Sequence, residues 1–363
     1  MSSASLHERA RRFIAGTHTA PETFDRLAIA IATHQHARVP PVRRLFERRA
    51  LSPDALETAD AIPAVPTDAF RHRRIAAHAE DEDARVFMTS GTTGGAERRG
   101  RHPMRDLGTY RSAALTWGRY MLFPDTDTLA TIALVASEQD APSSSLSYMV
   151  GRFAEALAGP SSFHWDGQRL DVQGVRRAIR ALDGPALVAG TSFAFVHLLD
   201  ALGDERLALP EGSRVMQTGG FKGRSRSVEA GTLRRAIADR FELDEAMVIA
   251  EYGMTELSSQ LYQTSLRRAV LGDASAPTLT AYAAPPWLGV RAVDPITLEP
   301  VPPDEVGLAR FVDLANVDSA VAILSADRIR VHDDGTIELL GRAPGATPRG
   351  CSLALEHLLG DDP

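Results

Sequence analysis

The chain has 363 residues, and its proportions of 44% hydrophobic and 24% charged residues exclude a wholly disordered or fibrous protein. With 40 basic and 47 acidic residues the net charge is −7, so we expect no nucleic-acid partner. The single cysteine excludes an internal disulfide framework and a multi-cysteine zinc site. The apolar runs are too short to span a bilayer and residues 1–12 lack an apolar signal core, which predicts a cytoplasmic protein without membrane insertion.

The N-terminal region favours helices. Residues 5–8 fit a capping box for a first helix that ends near Gly16. Apolar residues on one face predict a second helix over residues 21–37. A short strand is predicted at Arg85–Met88.

Strands and helices then alternate, which predicts an α/β protein with a mainly parallel sheet. The predicted strands cover residues 129–136, 186–189, 214–217 and 246–250. The predicted helices cover residues 172–182, 192–202 and a segment with an apolar stripe at Val228, Leu233, Ile237 and Phe241. After Pro285 four short strands, at 290–293, 308–312, 320–324 and 336–340, indicate either a small β-rich subdomain or an extension of the same sheet.

A segment rich in glycine and hydroxyl side chains directly follows the strand at Arg85–Met88: Thr89-Ser90-Gly91-Thr92-Thr93-Gly94-Gly95. Its backbone N–H groups and hydroxyls can surround phosphate oxygens. It lacks the Gly-Lys-Ser/Thr ending of a Walker loop, and by itself the pattern is more typical of an ordinary turn.

Two acidic motifs follow predicted strands further along the chain. In Glu251-Tyr252-Gly253-Met254-Thr255-Glu256, a threonine and a glutamate at a strand end could bind phosphate and magnesium, although a helix start with an acidic first turn explains the same pattern. Ser325-Ala326-Asp327 precedes Gly341-Arg342, and an aspartate can accept both ribose hydroxyls while an arginine reaches the same sugar or its phosphate. Between them, Asp333-Asp334-Gly335 predicts a hairpin turn.

In this order the motifs resemble those of the adenylate-forming superfamily of acyl-CoA synthetases, adenylation domains and luciferases. Segments 62–67, 218–222, 313–316 and 349–353 are similar to the acyl-protein synthetase family, whose founding member belongs to the bacterial bioluminescence fatty-acid reductase complex. The resemblance implies an adenylate-forming α/β core over residues 1–340, with the β-rich subdomain at about 285–340. A short hinge or tail, residues 341–363, would replace the full C-terminal lid domain of the related phenylacetate-CoA ligases.

The resemblance also implies a role for each matching residue. The β,γ-phosphates of ATP would be held by Thr89, Ser90, Gly91, Thr92, Thr93 and Gly94. Tyr252 would flank the adenine, Gly219 and Gly220 would line the adenine and acyl channel, and Gly253 would also belong to the nucleotide site. Thr255 would touch the α-phosphate and Glu256 would hold Mg²⁺. Asp327 would bind the ribose hydroxyls with Arg342 beside it.

The sequence departs from the superfamily at its lysines. Glu97 stands where the phosphate loop usually ends with Lys, so one of Arg98, Arg99 and Arg101 would supply the charge. The C-terminal catalytic Lys has no counterpart, because only 21 residues follow Arg342. Lys222 is the single lysine of the chain and the remaining candidate for a catalytic ammonium, although a solvated surface role is the alternative.

Cys351, the only cysteine, follows Arg349 and Gly350, and a neighbouring cation favours a reactive thiolate. Leucines at 353, 355, 358 and 359 favour a buried, inert cysteine equally well. The resemblance favours Cys351 as an acyl acceptor.

The resemblance thus implies ATP-dependent activation of a fatty or aromatic acid to an acyl-adenylate, with Mg²⁺ as cofactor and AMP as product. The acyl group would pass to Cys351 and on to a partner such as a reductase. Two alternatives remain: an aryl- or acyl-CoA ligase that uses coenzyme A as acceptor, and a non-catalytic nucleotide-binding subunit of a reductase complex.

Overall fold

The computed structural model describes residues 1–16, 22–90, 99–219, 229–272, 279–343 and 358. They fall into two compact units: unit 1 comprises Met1–Thr116, Met254–Gln260 and Ala283–Pro363, and unit 2 comprises Trp117–Gly253 and Leu261–Tyr282. The predicted limits of a core at 1–340, a subdomain from about 285 and a tail at 341–363 stay predictions. Across the described ranges, no helix has both the length and the apolar character that crossing a bilayer requires.

The helices of the described residues are α1 (Ser3–Ile14), α2 (Phe24–Arg38), α3 (Pro40–Arg48), α4 (Ala69–His72), α5 (Leu107–Met121), α6 (Ser145–Leu157), α7 (Val172–Arg180), α8 (Ser192–Leu202), α9 (Ala230–Phe241) and α10 (Ser265–Leu271). The hydroxyl of Ser2 caps α1 by accepting the N–H of Ser5 at 3.3 Å. The capping box predicted at residues 5–8 is therefore wrong, because Ser5 already lies inside the first turn.

The strands are β1 (Val65–Pro66), β2 (Arg85–Met88), β3 (Arg101–Met104), β4 (Leu129–Leu134), β5 (Ala158–Phe163), β6 (Ala186–Thr191), β7 (Arg214–Thr218), β8 (Val248–Tyr252), β9 (Leu261–Gln263), β10 (Tyr282–Ala283), β11 (Leu288–Val293), β12 (Val306–Asp313), β13 (Ala322–Val331) and β14 (Ile337–Arg342). The predicted strand at 246–250 begins later than expected. Residues 245–247 form a 3₁₀ turn capped by Asp244, whose Oδ1 accepts the N–H of Ala246 at 2.7 Å, so β8 starts only at Val248.

Unit 2 contains a mainly parallel sheet in the order β5-β4-β6-β7-β8-β9, with only the β8–β9 pair antiparallel. Leu233, Ile237 and Phe241 of the predicted apolar stripe are buried against Val188 of β6 and Val215 of β7 in one hydrophobic core. This arrangement confirms the predicted α/β class with a mainly parallel sheet.

Unit 1 contains the antiparallel strands β11-β12-β13-β14, with β1 parallel to β13, and a separate hairpin of β2 and β3. The strands predicted after residue 285 are therefore confirmed as strands. The predicted turn joins β13 to β14, since the N–H of Gly335 donates to the carbonyl of His332 at 2.9 Å.

Several elements have no counterpart among the predictions, including α5, α6 and β5. Helix α6 begins with serines and contains Gly151, residue types of poor helix propensity. It is stabilised instead by its buried face, which includes Tyr148, Phe153 and Leu157.

Candidate active site

The predicted phosphate loop connects β2 to β3 in unit 1. At its base the N–H of Thr89 donates to the carbonyl of Gly100 at 2.9 Å, and the N–H of Gly100 donates to Thr89 Oγ1 at 2.9 Å. The side chain of Arg99 adds a hydrogen bond from Nε to the carbonyl of Thr89. The hairpin thus fixes Thr89 and the start of the loop at Ser90, whereas Gly91, Thr92, Thr93, Gly94, Glu97 and Arg98 lie outside the described residues.

Gly100 is the point where two of the predicted motifs meet. A Cβ atom at this position would lie 3.0 Å from Thr89 Cγ2 and 3.2 Å from Glu256 Oε1. The bare backbone of Gly100 leaves the room that the hydroxyl-bearing Thr89 and the carboxylate of Glu256 occupy. The structure thereby brings Thr89 of the phosphate-loop motif close to Glu256 of the Thr-Glu motif, and the roles of both residues stay predictions.

Two buried side chains hold the backbone of Thr255 and Glu256. His102 Nδ1 donates to the carbonyl of Thr255 at 2.6 Å, and Asn316 Nδ2 donates to the carbonyl of Glu256 at 2.8 Å. Burial lowers the pKa of His102 to about 4, so its ring is neutral at physiological pH. In the neutral ring, the hydrogen bond to the Thr255 carbonyl places the proton on Nδ1.

The Asn316 amide belongs to a larger buried network. Ser258 Oγ donates to Asn316 Oδ1, while the N–H of Ser258 donates to Asp313 Oδ2 at 2.8 Å and Ser259 Oγ donates to Asp313 Oδ1 at 2.7 Å. Burial raises the pKa of Asp313 to about 6, although these hydrogen bonds favour its charged form. Hydrogen bonds with Asp313 and Asn316 thus hold the turn that contains Thr255 and Glu256 in place.

Sequence reasoning singled out segment 313–316 only by resemblance and gave it no role. A composition signal was available, because Asn316 is the single asparagine of the chain, as Lys222 is its single lysine. His102 carries no comparable signal in the sequence, since the chain has 11 histidines without clustering.

Asp327 and Arg342 lie directly opposite each other on β13 and β14. Arg342 Nε donates to Asp327 Oδ1 at 3.3 Å, and Ser325 Oγ donates to Asp327 Oδ2 at 2.8 Å. The Arg342 side chain is 51% exposed and can therefore reach a bound ligand as well as the aspartate. The structure thus brings these two residues together, and their role at a ribose stays a prediction.

In unit 2 the predicted nucleotide-site residues lie at the ends of the neighbouring parallel strands β7 and β8. Thr218, the last residue of β7, lies opposite Glu251 of β8, so Gly219 directly follows β7 and Tyr252 is the last residue of β8. Gly219 has φ +77°, a conformation that favours glycine, and its carbonyl accepts a hydrogen bond from Ser192 Oγ at 2.6 Å. Gly253 follows in the chain, whereas Gly220 and Lys222 lie outside the described residues.

The carboxyl group of Glu251, which precedes Tyr252 on β8, is buried. It accepts a hydrogen bond from Thr218 Oγ1, and burial raises its pKa to about 7. The remaining predicted catalytic residue, Cys351, also lies outside the described residues.

No group of three or more His, Cys, Asp or Glu side chains suited to a metal occurs in the part of the chain that the structure describes. Glu256 stays the predicted ligand of a magnesium ion. This fits Mg²⁺, which commonly uses one or two carboxylates and completes its shell with phosphate oxygens and water.

The sequence matches one protein family over most of its length. A profile of the family described as "Acyl-protein synthetase, LuxE" matches residues 24–360. The chain belongs to the acyl-protein synthetase (LuxE) family. The resemblance stated from the motifs is thereby confirmed at the level of the family. Among named relatives, the LuxE-family chain is 23% identical over 325 residues to the long-chain-fatty-acid–luciferin-component ligase of Aliivibrio fischeri, covering 84% of this chain and 81% of the relative.

Solved structures show the same fold. The LuxE-family chain matches 2-hydroxyisobutyryl-CoA ligase, solved with 2-HIB-AMP and CoA, with a TM-score of 0.64 and 16% identity over 88% of this chain and 68% of that one. It matches ATP-bound MatB from Rhodopseudomonas palustris with a TM-score of 0.52 and 16% identity over 73% of this chain. The chain spans about half the length of MatB, 49%. These neighbours confirm the predicted adenylate-forming fold.

Proposed function

We propose that this LuxE-family chain uses ATP and Mg²⁺ to activate a carboxylic acid as an acyl-adenylate, and then transfers the acyl group to the thiol of Cys351. The convergence of Thr89 and Glu256 on Gly100 carries the proposal, because it puts a hydroxyl and a carboxylate beside the start of a Gly/Thr-rich loop. A phosphate chain with its magnesium needs that combination of groups.

The residues present suit ATP and magnesium. Glu256 offers the hard carboxylate oxygen that Mg²⁺ prefers, and Thr89 and Ser90 offer hydroxyls to phosphate oxygens. When bound, the ion neutralises charge that develops on the phosphates. Asp327 offers carboxylate oxygens to ribose hydroxyls, and Arg342 positions that carboxylate from the facing strand.

Adenylation is needed because a carboxylate is a poor electrophile. An oxygen of the acid attacks the α-phosphorus of ATP, the bond from that phosphorus to the bridging oxygen breaks, and pyrophosphate leaves with the electron pair. Thr255 would contact the α-phosphate, and Lys222 would offer its ammonium to the acid or to the same phosphate. Preorganised groups of this kind stabilise developing charge most effectively in a site shielded from water.

The second step transfers the acyl group to sulfur. The thiolate of Cys351 attacks the acyl carbon, the carbon–oxygen bond to AMP breaks, and the thiol proton passes to solvent. The resulting thioester stays activated for a further transfer to a partner such as a reductase. We propose a fatty acid as the substrate, because the relative that aligns with 84% of this chain is named for a long-chain fatty acid.

ATP–pyrophosphate exchange with a panel of fatty and aromatic acids tests the first step. Glu256→Gln should reduce exchange ~10²–10³-fold, the typical cost of losing one preorganised group that stabilises developing charge. Glu305→Gln, a matched change at an exposed position, should leave it unchanged. Absence of exchange by the unmodified chain with every acid would favour the non-catalytic subunit instead.

Cys351→Ser tests the second step. Exchange should persist, because adenylation precedes thiol attack, while labelling of the protein by radioactive acid should disappear. The label on the unmodified chain should be released by neutral hydroxylamine, as expected for a thioester. Labelling that survives in Cys351→Ser, or efficient formation of coenzyme A esters, would contradict the acyl-protein step and favour a coenzyme A ligase.

A further inference from the structure

Strands β6 and β7 of unit 2 end side by side, and a buried hydroxyl group lies just past their ends. Thr191 of β6 is the register partner of Thr218 of β7, so Ser192 and Gly219 are the residues that directly follow the two strands. Ser192 is also the first residue of α8 and is 6% exposed. The register therefore puts a buried serine beside the glycine that the resemblance places in the adenine and acyl channel.

Three oxygen atoms surround the hydroxyl group of Ser192. Its Oγ lies 2.6 Å from the carbonyl oxygen of Gly219, 3.3 Å from Gln217 Oε1 and 3.4 Å from the carbonyl oxygen of Thr218. A serine hydroxyl has one proton to donate, and hydrogen bonds between two oxygens are typically about 2.5–3.0 Å long. The carbonyl of Gly219 is therefore the acceptor of this proton.

The backbone turns sharply at Gly219 as the chain leaves β7. Gly219 has φ +77°, a value that residues with side chains rarely adopt. A Cβ atom at this position would meet no described atom within 4 Å, so the conformation and not a lack of space favours glycine. In the part of the chain that the structure describes, no group other than Ser192 donates to the Gly219 carbonyl, and this hydrogen bond fixes the direction of the turn.

The hydroxyl of Ser192 has no role within its own helix. Helix α8 is capped by Thr191, whose Oγ1 accepts the N–H of Ala194 at 3.1 Å. Serine has a lower helix propensity than alanine, and a buried hydroxyl costs free energy unless it forms a hydrogen bond. The contact with the end of β7 therefore explains the serine at this position.

We propose that Ser192 is a positioning residue of the nucleotide site, because its hydroxyl holds the backbone of Gly219 in the conformation that contacts the bound nucleotide. Gly219 is exposed while Ser192 is buried, so the glycine can touch a ligand and the serine acts through it. This role rests on the proposed function and on the predicted place of Gly219 in the channel. It concerns the binding of the adenylate part and not of the departing pyrophosphate.

Titration calorimetry of the full chain with AMP tests this role, because AMP carries the adenine and lacks the β- and γ-phosphates. Ser192→Ala should raise the dissociation constant of AMP about three- to tenfold, the range expected when one neutral hydrogen bond is lost. The affinity for magnesium pyrophosphate, which the phosphate loop would bind, should be unchanged. A merely structural role would weaken the binding of both ligands.

Thr191→Val is the matched control, because it removes the neighbouring hydroxyl and with it the N-cap of α8. This variant should have a lower unfolding temperature and an unchanged affinity for AMP. Three results would overturn the proposal: equal AMP affinity in Ser192→Ala and the unmodified chain, equal weakening of AMP and pyrophosphate binding in Ser192→Ala, or equal weakening of AMP binding in Thr191→Val. Absence of AMP binding by the unmodified chain would contradict the proposed function itself, and the role of Ser192 with it.

Discussion

Glu251 is a buried carboxyl group whose ionisation opposes folding. Burial raises its pKa from 4.5 to about 7, and the hydrogen bond from Thr218 offsets only part of that cost. Between these pH values the unfolded chain releases the proton while the folded chain retains it. Its contribution to the free energy of unfolding therefore falls as pH rises, by about 3 kcal/mol across the window.

Glu251→Gln should remove this decrease in the free energy of unfolding with rising pH, because an amide does not titrate. The free energy of unfolding of the variant relative to the unmodified chain should rise between about pH 4.5 and pH 7 and stay constant above. Urea unfolding at several pH values measures this, with the exposed Glu211→Gln as control. Parallel pH profiles for Glu251→Gln and the unmodified chain would contradict the assignment.

At the scale of elements, the turn with Thr255 and Glu256 is held by segment 313–316. Asn316 donates to the carbonyls of Glu256 and Ala320 at 2.8 and 3.1 Å and accepts from Ser258. Asn316→Ala should lower stability by ~1–3 kcal/mol, the cost of leaving buried polar groups unpaired. It should also raise the magnesium concentration needed for half-maximal exchange, because Glu256 is no longer held at its position.

Gln35→Ala is the control that separates positioning from stability. Gln35 Nε2 donates to the carbonyls of Asn316 and Val317 at 2.7 and 2.9 Å, so this variant weakens the same segment without touching Glu256 directly. We expect a lower unfolding temperature with an unchanged magnesium requirement. Equal magnesium requirements in Asn316→Ala and the unmodified chain would show that Asn316 has a structural role only.

At the scale of the molecule, Asp318 joins the N-terminal helices of unit 1 to the segment that follows β12. It accepts hydrogen bonds from Ser3 at 2.6 Å, His7 at 2.9 Å and Arg105 at 2.9 Å, with His34 at 3.5 Å. Burial by itself raises the pKa of Asp318, but these partners outweigh it and hold that pKa well below its usual range. The resulting stability is present at neutral pH and is lost as pH falls below about 4, the unfolded pKa.

Asp318→Asn should lower the free energy of unfolding by about 1.5–3 kcal/mol at neutral pH, since it weakens the hydrogen bonds that Ser3, His7 and Arg105 donate to the charged carboxylate. The gap between Asp318→Asn and the unmodified chain should narrow below about pH 4, where the unmodified aspartate begins to lose this advantage. Asp333→Asn, at an exposed turn, should show neither effect. A gap independent of pH would show that Asp318 acts by shape and not by charge.

Local patterns in the sequence determined the fold class and the family. The alternation of strands and helices predicted the parallel sheet of unit 2, because periodicity of two or of 3.6 residues depends on neighbours along the chain. The order of Thr89–Gly94, Tyr252–Glu256 and Asp327 indicated the superfamily, since phosphate, magnesium and ribose each require particular side chains. The N-cap of α1 and the start of β8 differed from the predictions, because local hydrogen bonds to Ser2 and Asp244 determined where these elements begin.

Only the tertiary structure decided which residues support the site. Ser3 and Asp318 are 315 positions apart, and His102 and Thr255 are 153 apart, so no local pattern connects them. Nor did any motif indicate that Gly100 would separate Thr89 from Glu256. Such contacts depend on how whole elements pack, and a buried polar side chain can be assigned a role only when its hydrogen-bonding partner is known.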